Sequence, residues 1–262
     1  MVDLERLKII GTSHISEESR EEVDSAISSG RFDVICVELD KQRLYALKND
    51  IKQVHGIKSI GMIRHVGIMG FIFALVASAA QKKLGKKVSS KPGAEMLAAV
   101  ESAAKNNLQI ALIDQDVQIT LRKLSKKVGF KEKMRILYDL MKSMIGMRSP
   151  LTDISEDEFD LKQVPSDQLI EKILKKTKKR YKGLYHVLVQ DRNNIMAHRI
   201  LKMMENEPEK NFLVVIGAGH KEGMLQKIEK KTGQRYDEHV KKRKEEVTQD
   251  GSFSFSFTHD DA

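Results

Sequence analysis

The stretch FLVVIGAGH, residues 212–220, indicates how this chain folds. Its apolar run ends at Gly217, which is the pattern of a buried strand followed by a turn. A second stretch, LKIIGTSH at residues 7–14, repeats the arrangement near the other end of the chain. Each stretch carries Gly-x-x-His directly after an apolar strand. Because the carboxyl ends of parallel strands share one edge of a sheet, we expect His14 and His220 to meet there.

The sequence between these two stretches alternates between apolar runs and amphipathic segments. Strands are predicted at 7–10, 33–39, 108–113 and 212–216, and helices over 16–29, from 40 onward, over 94–106 and from about 221. Strands that alternate with helices predict a parallel sheet. We therefore predict an α/β fold with a mixed, largely parallel central sheet, flanking helices and a large helical insertion.

One domain over residues 1–244 accounts for this pattern, with helical insertions at about 49–90 and 116–206. Residues 245–262 are polar and low in complexity, and we expect a weakly ordered tail. The first residues lack a basic-then-apolar leader, which predicts a cytoplasmic protein. The single cysteine, Cys36, excludes a disulfide framework within one chain, and its mid-strand position predicts a small core residue.

The first insertion contains VGIMGFIFALVASAA, residues 66–80, which is nearly all apolar. It is shorter than the roughly 20 residues that a membrane-spanning helix needs. We interpret it first as a buried helix or as a helix at the subunit interface of a homo-oligomer. Because basic residues flank it, contact between residues 60–85 and a membrane surface is the main alternative, which would make the protein membrane-associated.

The formal net charge is +9, carried mostly by lysine. Basic runs such as 175–180 and 241–244 can bind phosphates or anionic lipid headgroups, although solvated helix faces are the commoner explanation. Aromatic residues make up 5% of the chain and tryptophan is absent. The aromatic-plus-basic pattern of RNA-binding modules is missing, so we expect no nucleic-acid partner.

The two histidines form an arrangement that suits a divalent metal, although each could instead only cap a helix or satisfy a local hydrogen bond. Glu38 ends the second predicted strand and should reach the same edge. There it could be a metal ligand or a general base for a bound water. A structural pair with Arg43, one helical turn away, is the alternative.

Three more side chains are predicted at this edge. Glu95 follows a Pro-Gly turn, and Asp114 follows the third predicted strand. Arg192 lies in a predicted helix among apolar neighbours, where it could hold an anionic group or stabilise an oxyanion. Ordinary salt bridges are the alternative for all three.

The glycines at 217, 219 and 223 also suggest a dinucleotide-binding turn. Their spacing is GxGxxxG, whereas the fingerprint of that turn is GxGxxG, and too little chain follows to complete a βαβ unit. This interpretation is therefore disfavoured.

Six ordered blocks resemble those of the TraB/PrgY family, which is related to the GumN and Tiki proteins and more distantly to erythromycin esterase and ChaN. The blocks are GTSHIS (11–16), VELDKQR (37–43), KPGAEM (91–96), LIDQDVQITL (112–121), QDRN (190–193) and GAGHKEG (217–223). Together they cover about residues 7–230. Many members end in several transmembrane helices, whereas this chain ends in a polar tail, so a membrane-anchored form is not expected.

The resemblance implies a function as well as a fold. Tiki relatives are described as metal-dependent proteases, and PrgY-type proteins limit the activity of a peptide pheromone by degrading or sequestering it. A metal-dependent hydrolase that acts on a peptide is the implied function. A peptide-binding protein without catalysis and a membrane-associated scaffold are the alternatives. The implied ligands of Mn²⁺, Co²⁺ or Zn²⁺ are His14, His220 and Glu38. The implied catalytic residues are Arg43, Glu95 and Arg192.

Overall fold

The computed structural model describes residues 2–12, 17–49, 93–144 and 167–236. Its strands are β1 (Leu7–Thr12), β2 (Val34–Val37), β3 (Gln109–Leu112) and β4 (Phe212–Gly217). They form one sheet in the order β1-β4-β2-β3, and within the described ranges every strand pairing is parallel. The predicted α/β fold with a largely parallel central sheet is confirmed.

The helices are named in chain order. The first six are α1 (Glu17–Ser28), α2 (Lys41–Lys48), α3 (Ala94–Lys105), α4 (Val117–Lys127), α5 (Phe130–Met144) and α6 (Asp167–Arg180). A continuous helical segment follows, made of α7 (Lys182–Tyr185), a π-helical turn (His186–Gln190) and α8 (Asp191–Asn206). The last helix is α9 (Ala218–Thr232). It begins earlier than the predicted position near 221, because extended Gly217 passes directly from the strand into the helix as its N-cap.

The apolar residues of β4 alternate between two cores. Phe212, Val214 and Ile216 pack in the core that contains α8 and α9, whereas Leu213 and Val215 pack in the core that contains α1 and α3. All five are fully buried. A strand that is buried on both faces needs helices on both sides, so the sheet is the middle layer of three.

The helices that follow β1 and β4 leave the sheet on opposite faces. Ile27 of α1 lies in one core, and Met224 of α9 lies in the other. In open parallel sheets such a reversal creates a crevice beyond the carboxyl ends of the strands, where ligands bind. Thr12 pairs with Gly217 at those ends. The crevice therefore lies where the two Gly-x-x-His motifs leave the sheet.

No helix within the described ranges is long and apolar enough to cross a membrane. The apolar segment 66–80 and the tail 245–262 lie outside those ranges. The buried, interfacial or membrane-contacting role of these segments therefore stays a prediction. The same is true of the domain bounds that depend on them.

Asp40 caps the amino end of α2. Its Oδ1 accepts hydrogen bonds from the backbone N–H groups of Gln42 (2.8 Å) and Arg43 (3.1 Å). Its Oδ2 is buried and has no hydrogen-bond partner among the residues that the structure describes. Burial raises the pKa of this carboxyl above its ordinary value of 3.8. One oxygen of the side chain thus caps and stabilises α2, whereas the buried charge of the carboxylate lowers the stability of the folded protein.

We predict that Asp40→Asn is more stable than the wild type by up to about 1 kcal/mol at neutral pH, because the amide oxygen keeps the cap while the buried charge disappears. A raised pKa in the folded state means that the carboxylate disfavours folding above its ordinary pKa, so the gain should shrink as the pH falls toward 3.8. Urea denaturation of the wild type and of Asp40→Asn at several pH values measures this gain in unfolding free energy. Asp40→Ala, which removes the cap, should be less stable than Asp40→Asn by about 1 kcal/mol. An Asn variant that is no more stable than the wild type would contradict this account.

Candidate functional site

Five ionisable side chains meet at the carboxyl edge of the sheet, and we call them the edge cluster. They are Glu38, Arg43, Asp114, Arg192 and His220. Glu38 directly follows β2, Asp114 follows β3, and His220 lies in the first turn of α9 after β4. The two arginines come from α2 and α8 and enter from the sides. Among the described residues, β2, β3 and β4 are thus each followed by a residue of the edge cluster.

Arg192 is the centre of the edge cluster. Its Nε and Nη2 donate to the two carboxylate oxygens of Asp114, at 2.9 and 2.7 Å. Its Nη2 also donates to Glu38 Oε1. Its Nη1 donates to His220 Nε2 at 3.0 Å and to the carbonyl of Leu188 at 3.4 Å. A guanidinium has five N–H donors in a fixed planar array, and here all of them are used.

Glu38 is held as an anion. Its Oε2 accepts the backbone N–H of Gly217 at 2.7 Å, so the carboxylate lies at the amino end of α9, where the helix dipole favours negative charge. Burial alone would raise the pKa of Glu38. At the acid pH where Glu38 titrates, the charge of the protonated His220 ring, the Arg192 guanidinium and the Gly217 N–H outweigh burial and lower that pKa from 4.5 to about 2.

Near neutral pH the His220 ring is uncharged and has a defined tautomer. Burial lowers its pKa below the ordinary 6.5, and the nearby Glu38 carboxylate only partly opposes this shift. Arginine donates and never accepts, so the nitrogen facing Arg192, Nε2, must carry the lone pair. The proton is then on Nδ1, which donates to Asn193 Oδ1 at 2.6 Å. The Nε2 atom lies 3.5 Å from Glu38 Oε1.

Asp114 and Arg43 complete the charge balance. Arg43 Nη1 donates to Asp114 Oδ2 at 2.9 Å and contacts the main-chain carbonyl of Glu38 at 3.5 Å. The carboxylate of Glu38 is thus paired with Arg192, and Arg43 with Asp114, a different pairing from the Glu38–Arg43 alternative weighed from the sequence. Two carboxylates face two guanidiniums, which is the balance that buried charges require.

The first glycine of the GTSH motif allows β1 to approach α9. A Cβ added at Gly11 would lie 3.3 Å from the Cα of Ala218 and 3.2 Å from the Cδ of Lys221. The neighbour at Ala218 is backbone, which cannot move aside as a flexible side chain can. A larger residue at position 11 would therefore push the first Gly-x-x-His motif away from the second.

Two of the predicted site residues are not placed in the edge cluster by these contacts. His14 lies outside the described residues, so its approach to His220 stays a prediction. Glu95 is half-buried in the first turn of α3, and its catalytic part stays a prediction. Within the described ranges, which leave out His14, no group of three or more His, Cys, Asp or Glu side chains is arranged to hold a metal.

Asp191 and Cys36 lie near the edge cluster in the sequence but take no part in the contacts described above. Asp191, next to Arg192, faces α4 and pairs with Lys127 at 2.8 Å and Lys123 at 3.3 Å. Cys36 is fully buried in β2, and burial raises the pKa of its thiol to about 12, as suits a core residue rather than a nucleophile.

Asn193, which contacts His220, was not predicted as a site residue, because an uncharged amide inside a helix carries no spacing signal of its own.

The family model of TraB/PrgY/gumN matches residues 3–234 of this chain. The chain is 34% identical over 259 residues to an uncharacterized protein of Methanocaldococcus jannaschii, MJ1365, a match that covers 95% of this chain and 61% of that protein. It is 23% and 22% identical over 243 residues to the TraB domain-containing proteins of Mus musculus and Homo sapiens, with 85% of this chain and 62% of each relative covered. The chain thus spans about three-fifths of the length of these relatives.

Proposed function

The chain belongs to the TraB/PrgY/gumN family, and from this premise we propose that it is a metal-dependent hydrolase that acts on a peptide. The proposed ligands of a divalent ion such as Mn²⁺, Co²⁺ or Zn²⁺ are His14, His220 and Glu38. One observation carries the proposal: a neutral imidazole nitrogen and a carboxylate oxygen lie side by side, buried, at the carboxyl edge of a parallel sheet.

The spacing of these two atoms supports a shared ion. His220 Nε2 and Glu38 Oε1 are 3.5 Å apart. Two ligands that each lie about 2.0–2.1 Å from a tetrahedral ion are separated by roughly 3.3 Å. The low pKa of Glu38 and the lone pair on Nε2 mean that neither ligand has to lose a proton first.

Chain connectivity supports His14 as the third ligand. Thr12 ends β1 and pairs with Gly217, and its Oγ1 donates to the carbonyl of Ile216 at the same strand end. Only two residues of chain, at most about 7 Å, separate position 14 from Thr12. An imidazole at that position is within reach of the crevice. Nitrogen and oxygen donors in this combination suit zinc, manganese and cobalt.

Arg192 must yield space for an ion, and its contacts allow this. Its guanidinium now donates to both His220 Nε2 and Glu38 Oε1. It also donates to Asp114, through Nε and through the same Nη2 that contacts Glu38. A guanidinium displaced from His220 and Glu38 would therefore keep Asp114 as a charge partner.

In this proposal the residues of the chain have separate roles. A bound ion would lower the pKa of a coordinated water and polarise the scissile carbonyl. Arg192 would stabilise the negative charge that develops on the carbonyl oxygen, and Arg43 would hold Asp114 and Arg192 in position. Glu95 would accept a proton from the attacking water and pass it to the leaving amine.

A second candidate is a protein that binds a peptide without catalysis. One observation favours it: all five N–H donors of Arg192 are used. Two of them donate to His220 Nε2 and Glu38 Oε1, the atoms that an ion would need as ligands. The site is then complete as a polar crevice. In that case His14→Ala should leave the affinity for a peptide nearly unchanged.

Elemental analysis and a peptide library test the proposal together. Metal-free protein is loaded with Mn²⁺, Co²⁺ or Zn²⁺ and desalted. We expect one ion per chain and turnover of at least one peptide class. His14→Ala and His220→Ala should each lose the ion and the turnover, whereas His198→Ala, an exposed histidine on α8, should keep both. An unchanged metal content in His14→Ala would contradict the ligand set. Peptide binding without bound metal or turnover would favour the second candidate.

A further inference from the structure

We propose that Asn193, held in place by close contact with Gly223, is a positioning residue that keeps the Nε2 lone pair of His220 directed at the crevice. The importance of that lone pair rests on the proposed function. The geometry that fixes it does not, and it can be tested without a metal or a substrate.

A neutral imidazole carries one proton, and in isolation the proton exchanges between the two ring nitrogens. In this structure Asn193 Oδ1 lies 2.6 Å from His220 Nδ1. Asn193 is 2% exposed, so no water competes for its amide oxygen. An acceptor fixed against Nδ1 keeps the proton there and leaves Nε2 as the lone pair.

The amide of Asn193 must point its oxygen at the ring for this to work. If the oxygen faces the His220 ring, the amide nitrogen points toward the next turn of the helix that carries His220, α9. It lies there against Gly223, where an added Cβ would be 2.3 Å from Asn193 Nδ2. A real Cβ cannot approach a nitrogen so closely. Only glycine at position 223 leaves room for the amide in this orientation.

Gly223 has no other explanation among the described residues. It lies inside α9, where glycine costs about 1 kcal/mol relative to alanine. It is also the last glycine of the GxGxxxG pattern, whose spacing does not fit a dinucleotide. The contact with Asn193 gives the reason for a glycine at that position.

Asn193 matters most when Arg192 moves. At present Arg192 also opposes a proton on Nε2, because two donors would face each other. Displacement of Arg192 from His220 and Glu38, as an incoming ion requires, removes that constraint. Asn193 then remains as the group that fixes the tautomer, and it must do so while the ring binds its ligand.

The test uses NMR of the full chain with ¹⁵N-labelled histidine at about pH 8, above the ordinary pKa of histidine. The His220 signals are identified by their loss in His220→Ala. We expect wild-type His220 to carry its proton on Nδ1. Asn193→Leu leaves the buried Nδ1–H without its acceptor, so part of the population should shift to the Nε2–H form even though Arg192 still faces Nε2. Gly223→Ala should do the same by displacing the amide. Asn193→Asp, which retains an acceptor oxygen, should keep the proton on Nδ1.

Asn194→Leu is the matched control, because Asn194 is the next residue and is half-buried but is in none of the ring contacts described above. It should leave the tautomer unchanged. In the metal arm, loss of the ring's hydrogen-bond partner should weaken affinity by about 10- to 100-fold in Asn193→Leu. If both Asn193→Leu and Gly223→Ala retain the wild-type tautomer, the inference is overturned. If the wild type binds no metal, the proposed function fails, and the NMR arm still decides the role of Asn193.

Discussion

Replacing Arg192 with methionine is expected to destabilise the fold by about 3–5 kcal/mol. Methionine fills similar space and removes only the charge and the donors. The variant leaves two buried carboxylates, Glu38 and Asp114, close together without the guanidinium that bridges them. A buried charge without a partner is among the most unfavourable changes that one substitution can make.

Urea denaturation at neutral pH measures this effect. Arg135→Met is the matched control, because Arg135 is exposed on α5 and donates only to the carbonyl of Arg180 among the contacts described. It should change stability by no more than about 0.5 kcal/mol. Adding Glu38→Gln and Asp114→Asn to Arg192→Met should recover part of the loss, since the charges are then removed together. A loss below about 1 kcal/mol in Arg192→Met would mean that the carboxylates are not held by this arginine.

Glu38→Gln is expected to lower the unfolding free energy by about 3 kcal/mol at neutral pH. It should also make that free energy depend less on pH between about 4.5 and 2. The pKa of Glu38 is lowered from 4.5 to about 2 in the folded protein. A lowered carboxyl pKa gives stability that is fully present above pH 4.5 and is lost as the pH falls toward 2. Glutamine has the same shape, but it presents one oxygen where Arg192 and Gly217 need two.

Unfolding free energies of the wild type and Glu38→Gln at a series of pH values test this prediction. The two curves should be separated at neutral pH and converge as the pH approaches 2. Glu205→Gln, which alters an exposed carboxylate on α8, should run parallel to the wild type. Parallel curves for Glu38→Gln would show that Glu38 is not an anion stabilised by the fold.

The strands and the acids beside them could be predicted from sequence because both depend on local pattern. Apolar runs ending at glycine gave β1 and β4. A carboxylate placed just after such a run, as Glu38 and Asp114 are, must lie at the carboxyl edge of a parallel sheet. Residue type and distance from the strand end were sufficient information.

The partner of each acid could not be predicted, because pairing depends on how separate helices pack. Arg43 lies close to Glu38 in sequence, yet the Glu38 carboxylate pairs with Arg192, more than 150 residues later along the chain. That choice follows from the rotation of α8 against α9, which no local pattern records. The same packing determines the role of Asn193 and the need for glycine at position 223.

The π-helical turn at His186–Gln190 has a consequence for the rotation of α8. A π turn is equivalent to one extra residue in an α-helix, so losing a residue there would restore regular, locally more favourable helix. Regularising the turn into α-helix with every residue kept would instead rotate everything downstream by about 100°. Arg192 and Asn193 would leave His220, and Met196 and Ile200 would leave the core in the same event. The π turn therefore sets the rotational phase of α8, and a substitution that converted it to α-helix at constant length would misplace both Arg192 and Asn193.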